Sequence, residues 1–440
     1  MLNYKNTKTQ TKPLDFEQIR EYYQSSCKSD LRYGLEYERV SINSATLKSA
    51  DYESIEKIIK NFADINGWGL LYDEDTLIGA ICGKSSISLE PGCQMELSLE
   101  PKKDIAEIEK DTKEICALLN RIAKFYNIDF LPIGITPKST YQNIDIVEKK
   151  RYKIMAKHLP NYGKFAPVMM RETAGVQLNI DYKSENDAIS KLKLLSFISP
   201  FMTGLFANSP IRNNKLTNYK SFRALAWKYT GKERCSLFYN KLLENKEATF
   251  DDYIDAILDV PLLFIERDGE KIVTGCKITF RDFMQNGFMG NFATLNDYIL
   301  HSSLCFPDIR LKNCIEIRNH DSQNLEMALT LCAFYKGILE GDFCKILEYF
   351  NKTTTQDLEK MGFLAAKYGV NFEYKNFHAK EFLYKLFEFA QSNLKENEKH
   401  YLNKAFELLK NGKCPADEII ENKVKNANDL EKYLKRVNNC

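Results

Sequence analysis

Four short segments of the chain carry chemically competent polar side chains at every second position. In 33–40, YGLEYERV, Glu36 and Glu38 fall on one side of an extended strand, because successive strand side chains alternate between faces. In 85–100, a Glu90-Pro91-Gly92 turn leads into Gln94, Glu96 and Ser98 on one side and Met95, Leu97 and Leu99 on the other. In 176–181, Gln177, Asn179 and Asp181 oppose Val176, Leu178 and Ile180. In 309–318, Arg310, Lys312, Glu316 and Arg318 line one face, with Leu311, Ile315 and Ile317 on the other. One such segment alone reads as a half-solvated strand. Together, their polar faces hold Glu, Gln, Asn and Arg with few Lys and almost no Thr, which is unusual for strands that merely face water. Clustered carboxylates repel one another unless cations neutralise them. A sheet face with several Glu and Arg suits a divalent metal and a polyphosphate. Carboxylate oxygens hold Mg²⁺, the metal bridges phosphate oxygens, and Arg offers forked donors to a carboxylate or phosphoryl group.

Other chemistries lack their motifs. There is no G-x-x-x-x-G-K-[ST], no G-x-G-x-x-G after a strand and no G-x-S-x-G elbow. His158, His301, His320, His378 and His400 show no paired metal spacing and read as structural or exposed; His320 lies nearest Arg318. The 12 cysteines contain no C-x-x-C pair, which argues against structural zinc, and they read mostly as small buried hydrophobes rather than a disulfide framework. Lys+Arg 62 against Asp+Glu 60 leaves +2, so no global field recruits nucleic acid or membrane. The first 16 residues lack an apolar signal core, and the most apolar run, 194–207, is too short to span a bilayer and contains Pro200. A cytoplasmic protein with a buried helix over 194–207 is expected.

These segments need a scaffold. A chain of 440 residues has room for about two to three domain-sized units. Apolar periodicity predicts helices over 15–30, 50–66, 103–126, 186–208 and 322–340, with short strands between them. From 341 to 440 the pattern is mostly helical and amphipathic, with no Gly/Ser- or Pro-rich linker before it. Strands and helices mix without regular βαβ alternation, so the expected class is α+β, with one unit over 1–340 and a helical region over 341–440 packed on it.

At these residues the chain resembles the plant-type glutamate–cysteine ligases, a family that includes many bacterial enzymes. The resemblance rests on six ordered blocks: G-x-E-x-E at 34–38, S-L-E-P-G-x-Q-x-E-L-S at 88–98, M-M-x-x-T-A-x-V-Q-x-N-x-D at 169–181, A-N-S-P at 207–210, S-x-R-x-x-x-W at 221–227 and F-P-x-x-R-L-K-x-x-x-E-x-R at 306–318. It implies a glutamine-synthetase-like catalytic antiparallel sheet flanked by helices. It also implies that ATP, with two or more Mg²⁺ ions, phosphorylates the glutamate γ-carboxylate, and that the amine of cysteine then displaces phosphate. This is the first step of glutathione-type thiol biosynthesis. The implied partners are glutamate, cysteine and ATP, with no nucleic acid or membrane, on a monomer or homodimer.

Carried over by position, the resemblance makes Glu36, Glu38, Glu96 and Glu316 the metal ligands, with Glu90 and Gln94 next in line for metal, substrate or ATP. Gln177 and Asn179 would orient substrate or a metal-bound water. Arg318 would contact phosphate and Arg223 the substrate carboxylate. Arg310 and Lys312 either contact nucleotide phosphates or are surface charge, and Trp227 either walls the substrate pocket or fills core. Four positions depart from the pattern. Cys93 stands where a second Gly is common, and Asn319-His320 replaces Gly-Ala before Asp321. Glu172 stands where Arg often precedes the Thr, with Arg171 one position earlier as the remaining candidate for a substrate or ATP contact. The alternatives are a related ligase with another amine acceptor and a non-catalytic nucleotide-binding homologue.

Overall fold

The structure, a computed structural model, describes residues 13–437 apart from Ser236. The leader reading falls mainly on residues 1–12, which lie outside the described residues, as does Cys440. Among the described residues, nine strands of the main sheet form where alternating or apolar runs occur: β1 (Tyr33–Asn43), β2 (Gly69–Asp73), β3 (Thr76–Cys82), β4 (Ser85–Leu89), β5 (Met95–Ser98), β6 (Ile128–Leu131), β7 (Gly175–Ile180), β8 (Ile309–Leu311) and β9 (Ile315–Asp321). They make one antiparallel sheet in the order β8-β9-β7-β1-β5-β4-β3-β2, and β6 pairs with the far half of β1. The segment 309–318, expected to be one strand, is a hairpin. Lys312 N–H donates to the Cys314 carbonyl at 2.7 Å, and Arg310 becomes the direct cross-strand partner of Glu316.

The helices follow the apolar periodicity and are stopped by local chemistry. The helix Tyr52–Asn66 begins at Asp51, whose side chain accepts from Ser54 N–H, and ends at Gly67 in the left-handed region at φ 66°. Ser184 caps the helix Glu185–Leu205 and Asn324 caps Leu325–Glu340, each by accepting a backbone N–H three residues on. With Ile105–Phe125 these helices cover the apolar face of the sheet. Val176, Leu178, Ile180, Ile315 and Ile317 are fully buried there, each stabilising the fold by about 1.5–3 kcal/mol. Burial of that face leaves the opposite, polar face for chemistry.

One continuous core runs from Leu14 to Ala416, so the helical region after 340 shares it with the sheet helices. Phe201, inside Glu185–Leu205, meets Phe350, Phe372, Phe377 and Phe382 at ring distances of 4.7–6.2 Å. The expected buried helix over 194–207 is therefore present, with Pro200 inside it. Among the described residues no helix is long and apolar enough to cross a membrane. The 11 described cysteines are all unbridged, and fewer are buried than expected: Cys93, Cys305, Cys332 and Cys414, with Cys82 and Cys344 exposed.

Candidate functional site

Register decides which polar side chains meet. Glu38 on β1 lies opposite Glu96 on β5, and Glu36 lies between Ser98 on β5 and Gln177 on β7. Asn179 on β7 lies opposite Glu316 on β9, which in turn faces Arg310 on β8. Glu36, Glu38, Glu96, Gln177, Asn179 and Glu316 thus occupy one face over four adjacent strands. The β9 ladder shifts register between Ile317 and His320, a bulge of the kind that re-aims side chains. Arg318 sits in it, and its Nη1 donates to Gln177 Oε1 at 2.6 Å and to Glu316 Oε2 at 2.8 Å.

The carboxylates fall into two electrostatic groups. Among the described residues Glu36 accepts one side-chain bond, from Asn179 Nδ2 at 2.7 Å, and burial followed by the charges of Glu96 and Glu316 pushes it up to about 7. Glu38 accepts from Gln177 Nε2 at 2.7 Å and from Gly175 N–H at 2.5 Å, yet burial with Glu90 and Glu96 nearby raises it to about 8. Glu96 accepts from Ser88 at 2.8 Å and Ser98 at 3.3 Å, and burial plus Glu90 raises it to about 7. These three are short of positive charge. Glu316 is the reverse. Burial opposes its ionisation, but Arg310, Lys312 and Arg318, at 2.6, 2.7 and 2.8 Å, hold it well below the usual carboxylate range.

The donor chemistry of Glu36, Glu38 and Glu96 fits a hard divalent cation, since oxygen ligands with unneutralised charge are what such an ion takes. Among the described residues, however, no group of three or more His, Cys, Asp or Glu side chains is arranged to hold a metal as it stands. The carboxylates are instead drawn onto the amide, hydroxyl and backbone donors beside them. Both oxygens of Glu316, also expected among the metal ligands, are taken by cations, so as placed it anchors Arg318, Arg310 and Lys312.

Several expected site residues work as framework. Gln94 is buried; its amide donates to the Thr173 carbonyl at 2.8 Å and its oxygen accepts from Gly92 N–H at 2.8 Å. That bond ties the Glu90 turn to the segment before β7. Gly92 permits it, because a Cβ there would lie 2.3 Å from the Arg171 carbonyl oxygen. Cys93 holds φ 62°, the left-handed conformation that favours the Gly it replaces. Arg171 donates to the Tyr141 and Ile144 carbonyls at 2.9 and 3.1 Å. Glu172 is fully buried, paired with Arg212 at 2.6 and 2.8 Å, so it does not face the polar side of the sheet. Arg310 is buried and also donates to the Ser303 and Cys305 carbonyls, rather than lying open to phosphate. His320 is buried against Tyr335 at 3.0 Å and pushed down to about 3, a neutral core histidine.

Arg223 and Trp227 stand beside the face on the helix Phe222–Lys228, which Ser221 caps. Arg223 Nη2 donates to the Arg318 carbonyl at 2.9 Å, and its guanidinium lies so close to β7 that a Cβ on Gly175 would be 2.5 Å from Nη2. Arg223 Nε and Trp227 Nε1 are buried without a hydrogen-bond partner among the described residues. Both residues line a cavity of about 640 Å³ with Arg318, Ser199, Asp308 and Asn319. Trp227 thus lines the cavity and also packs against the hydrophobic core. Asp321 escaped sequence reasoning. Its buried carboxylate accepts from Asn208 N–H at 2.8 Å, Ser209 at 2.6 Å and Ser221 at 2.8 Å. The A-N-S-P and S-x-R-x-x-x-W blocks thus converge on one residue three positions beyond Arg318, and their small polar residues were the available signal.

Comparison with known proteins places this geometry. A family model described as glutamate-cysteine ligase family 2 (GCS2) matches residues 32–436. The chloroplastic glutamate–cysteine ligase of Medicago truncatula is 31% identical over 421 residues, spanning 93% of this chain and 82% of that protein. That of Solanum lycopersicum is 32% identical over 420 residues, spanning 93% and 80%. Among solved structures, a glutamate–cysteine ligase from Francisella tularensis in complex with AMP superposes with a TM-score of 0.55 over 90% of this chain and 85% of that one; at 12% identity the likeness is one of fold.

Proposed function

The chain belongs to glutamate-cysteine ligase family 2, and from that premise we propose that it joins glutamate, through its γ-carboxylate, to the amine of cysteine on the polar face of the sheet. ATP is the co-substrate in this reading. Its γ-phosphoryl passes to the glutamate γ-carboxylate, giving ADP and an acyl phosphate; the cysteine amine attacks the carbonyl carbon, loses a proton, and phosphate leaves. The observation that carries this is the row of under-neutralised carboxylates, Glu36, Glu38 and Glu96, beside the Arg318–Gln177 contact. Mg²⁺ would be held by those three carboxylates, with Glu90 close by, and would supply the positive charge they lack.

The remaining side chains position the reactants. Gln177 and Asn179 hold Glu38 and Glu36 in place from the neighbouring strand. Arg318, oriented by Gln177 and Glu316, offers its fork to the transferring phosphoryl group. Arg223, with Nε unpartnered in the cavity wall, takes the substrate carboxylate, and Trp227 closes that side of the pocket. Glu316 serves by fixing Arg318, Lys312 and Arg310. The reading also places the enzyme in the cytoplasm as a monomer or homodimer, which fractionation and sedimentation measure directly. Purified protein given ATP, Mg²⁺, glutamate and single amino acids is expected to release phosphate and form γ-glutamylcysteine only with cysteine. Phosphate release independent of cysteine, or best supported by another amine, refutes cysteine as the acceptor.

A further inference from the structure

The carboxylate face has cations at both ends, and those ends differ. Near β9, Arg310, Lys312 and Arg318 are all tied to Glu316. Near the end of β4 lie Lys149 and Arg151, which make no ion pair with any described residue. Lys149 Nζ is 5.0 Å from the centre of the Tyr152 ring and Arg151 Cζ is 5.9 Å from it. Tyr152 is itself buried and fixed: its hydroxyl donates to the Leu89 carbonyl at 3.0 Å and lies 3.5 Å from Glu90 Oε1. Both cations are thereby held beside Glu90, at the start of the turn that leads to Glu96. Arg151 Nε is buried without a partner. The neighbouring helix start does not account for the site, because Lys150 N–H is already taken by Asp73 at 2.7 Å.

We propose that Lys149 and Arg151 grip the phosphate chain of the nucleotide, opposite the carboxylates Glu36, Glu38 and Glu96; this rests on the reading above that ATP is the co-substrate. A polyphosphate brought onto a face with three carboxylates meets repulsion, which bound metal offsets only in part. It needs further positive charge not already neutralised by protein carboxylates. Lys149 and Arg151 meet that condition; Arg310 and Lys312 do not, and Arg318, which faces the transferring phosphoryl group, shares its charge with Glu316. The field at Lys149 agrees: burial and Arg151 push its ammonium down, while Glu90, Asp73 and Glu96 pull it back up. An Arg offers a fork to two phosphate oxygens and a Lys a point charge. The Tyr152 ring holds both cations by cation–π contact, so less ordering remains to be done on binding.

The test uses the full-length protein with Lys149→Met and Arg151→Met, singly and together, which keep an apolar stem over Tyr152. Calorimetry with a non-hydrolysable Mg·ATP analogue is expected to show a Kd raised about 10-fold or more for each single variant, as for loss of a charge-assisted hydrogen bond. Binding of adenosine, which has no phosphates, and KM for glutamate should stay within about threefold of wild type, since neither touches these cations. Arg151→Lys, keeping the charge but losing the fork, should fall between wild type and Arg151→Met. Wild-type analogue affinity in a double variant that melts like wild type overturns the inference, and so does a rise in KM for glutamate in place of ATP. Should the double variant not fold, the same two outcomes are read from Arg151→Lys. A wild-type protein that neither binds the analogue nor ligates glutamate would overturn the proposed function as well, whereas ligating wild type with unaffected variants overturns this inference alone.

Discussion

Glu38→Gln should stabilise the metal-free protein above neutral pH while abolishing ligation. Glu38 titrates at about 8 in the fold against an ordinary 4.5, because burial and the charges of Glu90 and Glu96 oppose its ionisation. The folded state therefore retains a proton that the unfolded chain releases above pH 4.5. Stability from that proton is complete below the unfolded value and drains away as pH rises to the folded one, at about 1.4 kcal/mol per pH unit. Over this window the wild type loses up to roughly 4–5 kcal/mol that a neutral side chain does not lose. Gln adds an opposing cost. Glu38 accepts from both Gln177 Nε2 and Gly175 N–H, and the Gln amide must turn its NH₂ towards one of these donors, for about 1–3 kcal/mol. Gln177 does not relieve the clash by flipping, because its oxygen accepts from Arg318. The variant is thus expected to be less stable than wild type at pH 5, equal near pH 6, and more stable by roughly 3 kcal/mol at pH 8.5. Urea unfolding followed through the two tryptophans, Trp68 and Trp227, at pH 5 and pH 8.5 measures this without substrates. Mg²⁺ should close the gap at pH 8.5 by stabilising the wild type selectively. A variant less stable than wild type at both pH values, or a difference that does not change with pH, refutes the electrostatic account of this face.

Three substitutions probe the framework. Gly92→Ala places a Cβ 2.3 Å from the Arg171 carbonyl oxygen, so the Glu90 turn must move; a loss of about 1–3 kcal/mol in thermal unfolding, with activity falling further, is expected. Asp321→Asn leaves one of three donors facing an NH₂ and removes the anion beside Arg223; about 2–4 kcal/mol of stability should be lost and KM for glutamate should rise with it. Cys93→Gly relieves a left-handed residue, worth about 1–2 kcal/mol, but gives up a buried side chain and loosens the unfolded chain by similar amounts. Its melting temperature should stay close to wild type, and a large drop would show that the thiol packs more tightly than its position implies.

Much of the positioning was legible because strand periodicity is a local property. The residues i, i+2 and i+4 share a face whatever the rest of the chain does, so Glu36 with Glu38, Gln94 with Glu96, and Gln177 with Asn179 could be paired without a structure. The apolar residues between them likewise named the buried side, and the helices Tyr52–Asn66, Ile105–Phe125 and Leu325–Glu340 followed from period 3.6. Alternation does not say whether one strand or two carries the pattern. For that reason 309–318 read as a single strand although it turns at Lys312–Cys314.

Residue type and spacing therefore determined that carboxylates, amides and arginines share a sheet face, and the block order determined the family. The tertiary structure alone decided what each charge meets. Glu36, Glu38, Glu96 and Glu316 are alike in sequence, yet the β8–β9 hairpin surrounds Glu316 with three cations and leaves the other three poorly neutralised. Glu172 read only as a departure from the family pattern, and its partner Arg212 is distant in sequence. Lys149 and Arg151 drew no attention in the sequence, because nothing local reveals that Tyr152 anchors to Glu90 and the end of β4. The physical reason is common to all three: faces are set by bond geometry within a few residues, whereas ionisation and binding depend on charges brought within a few ångströms by chain segments far apart in sequence.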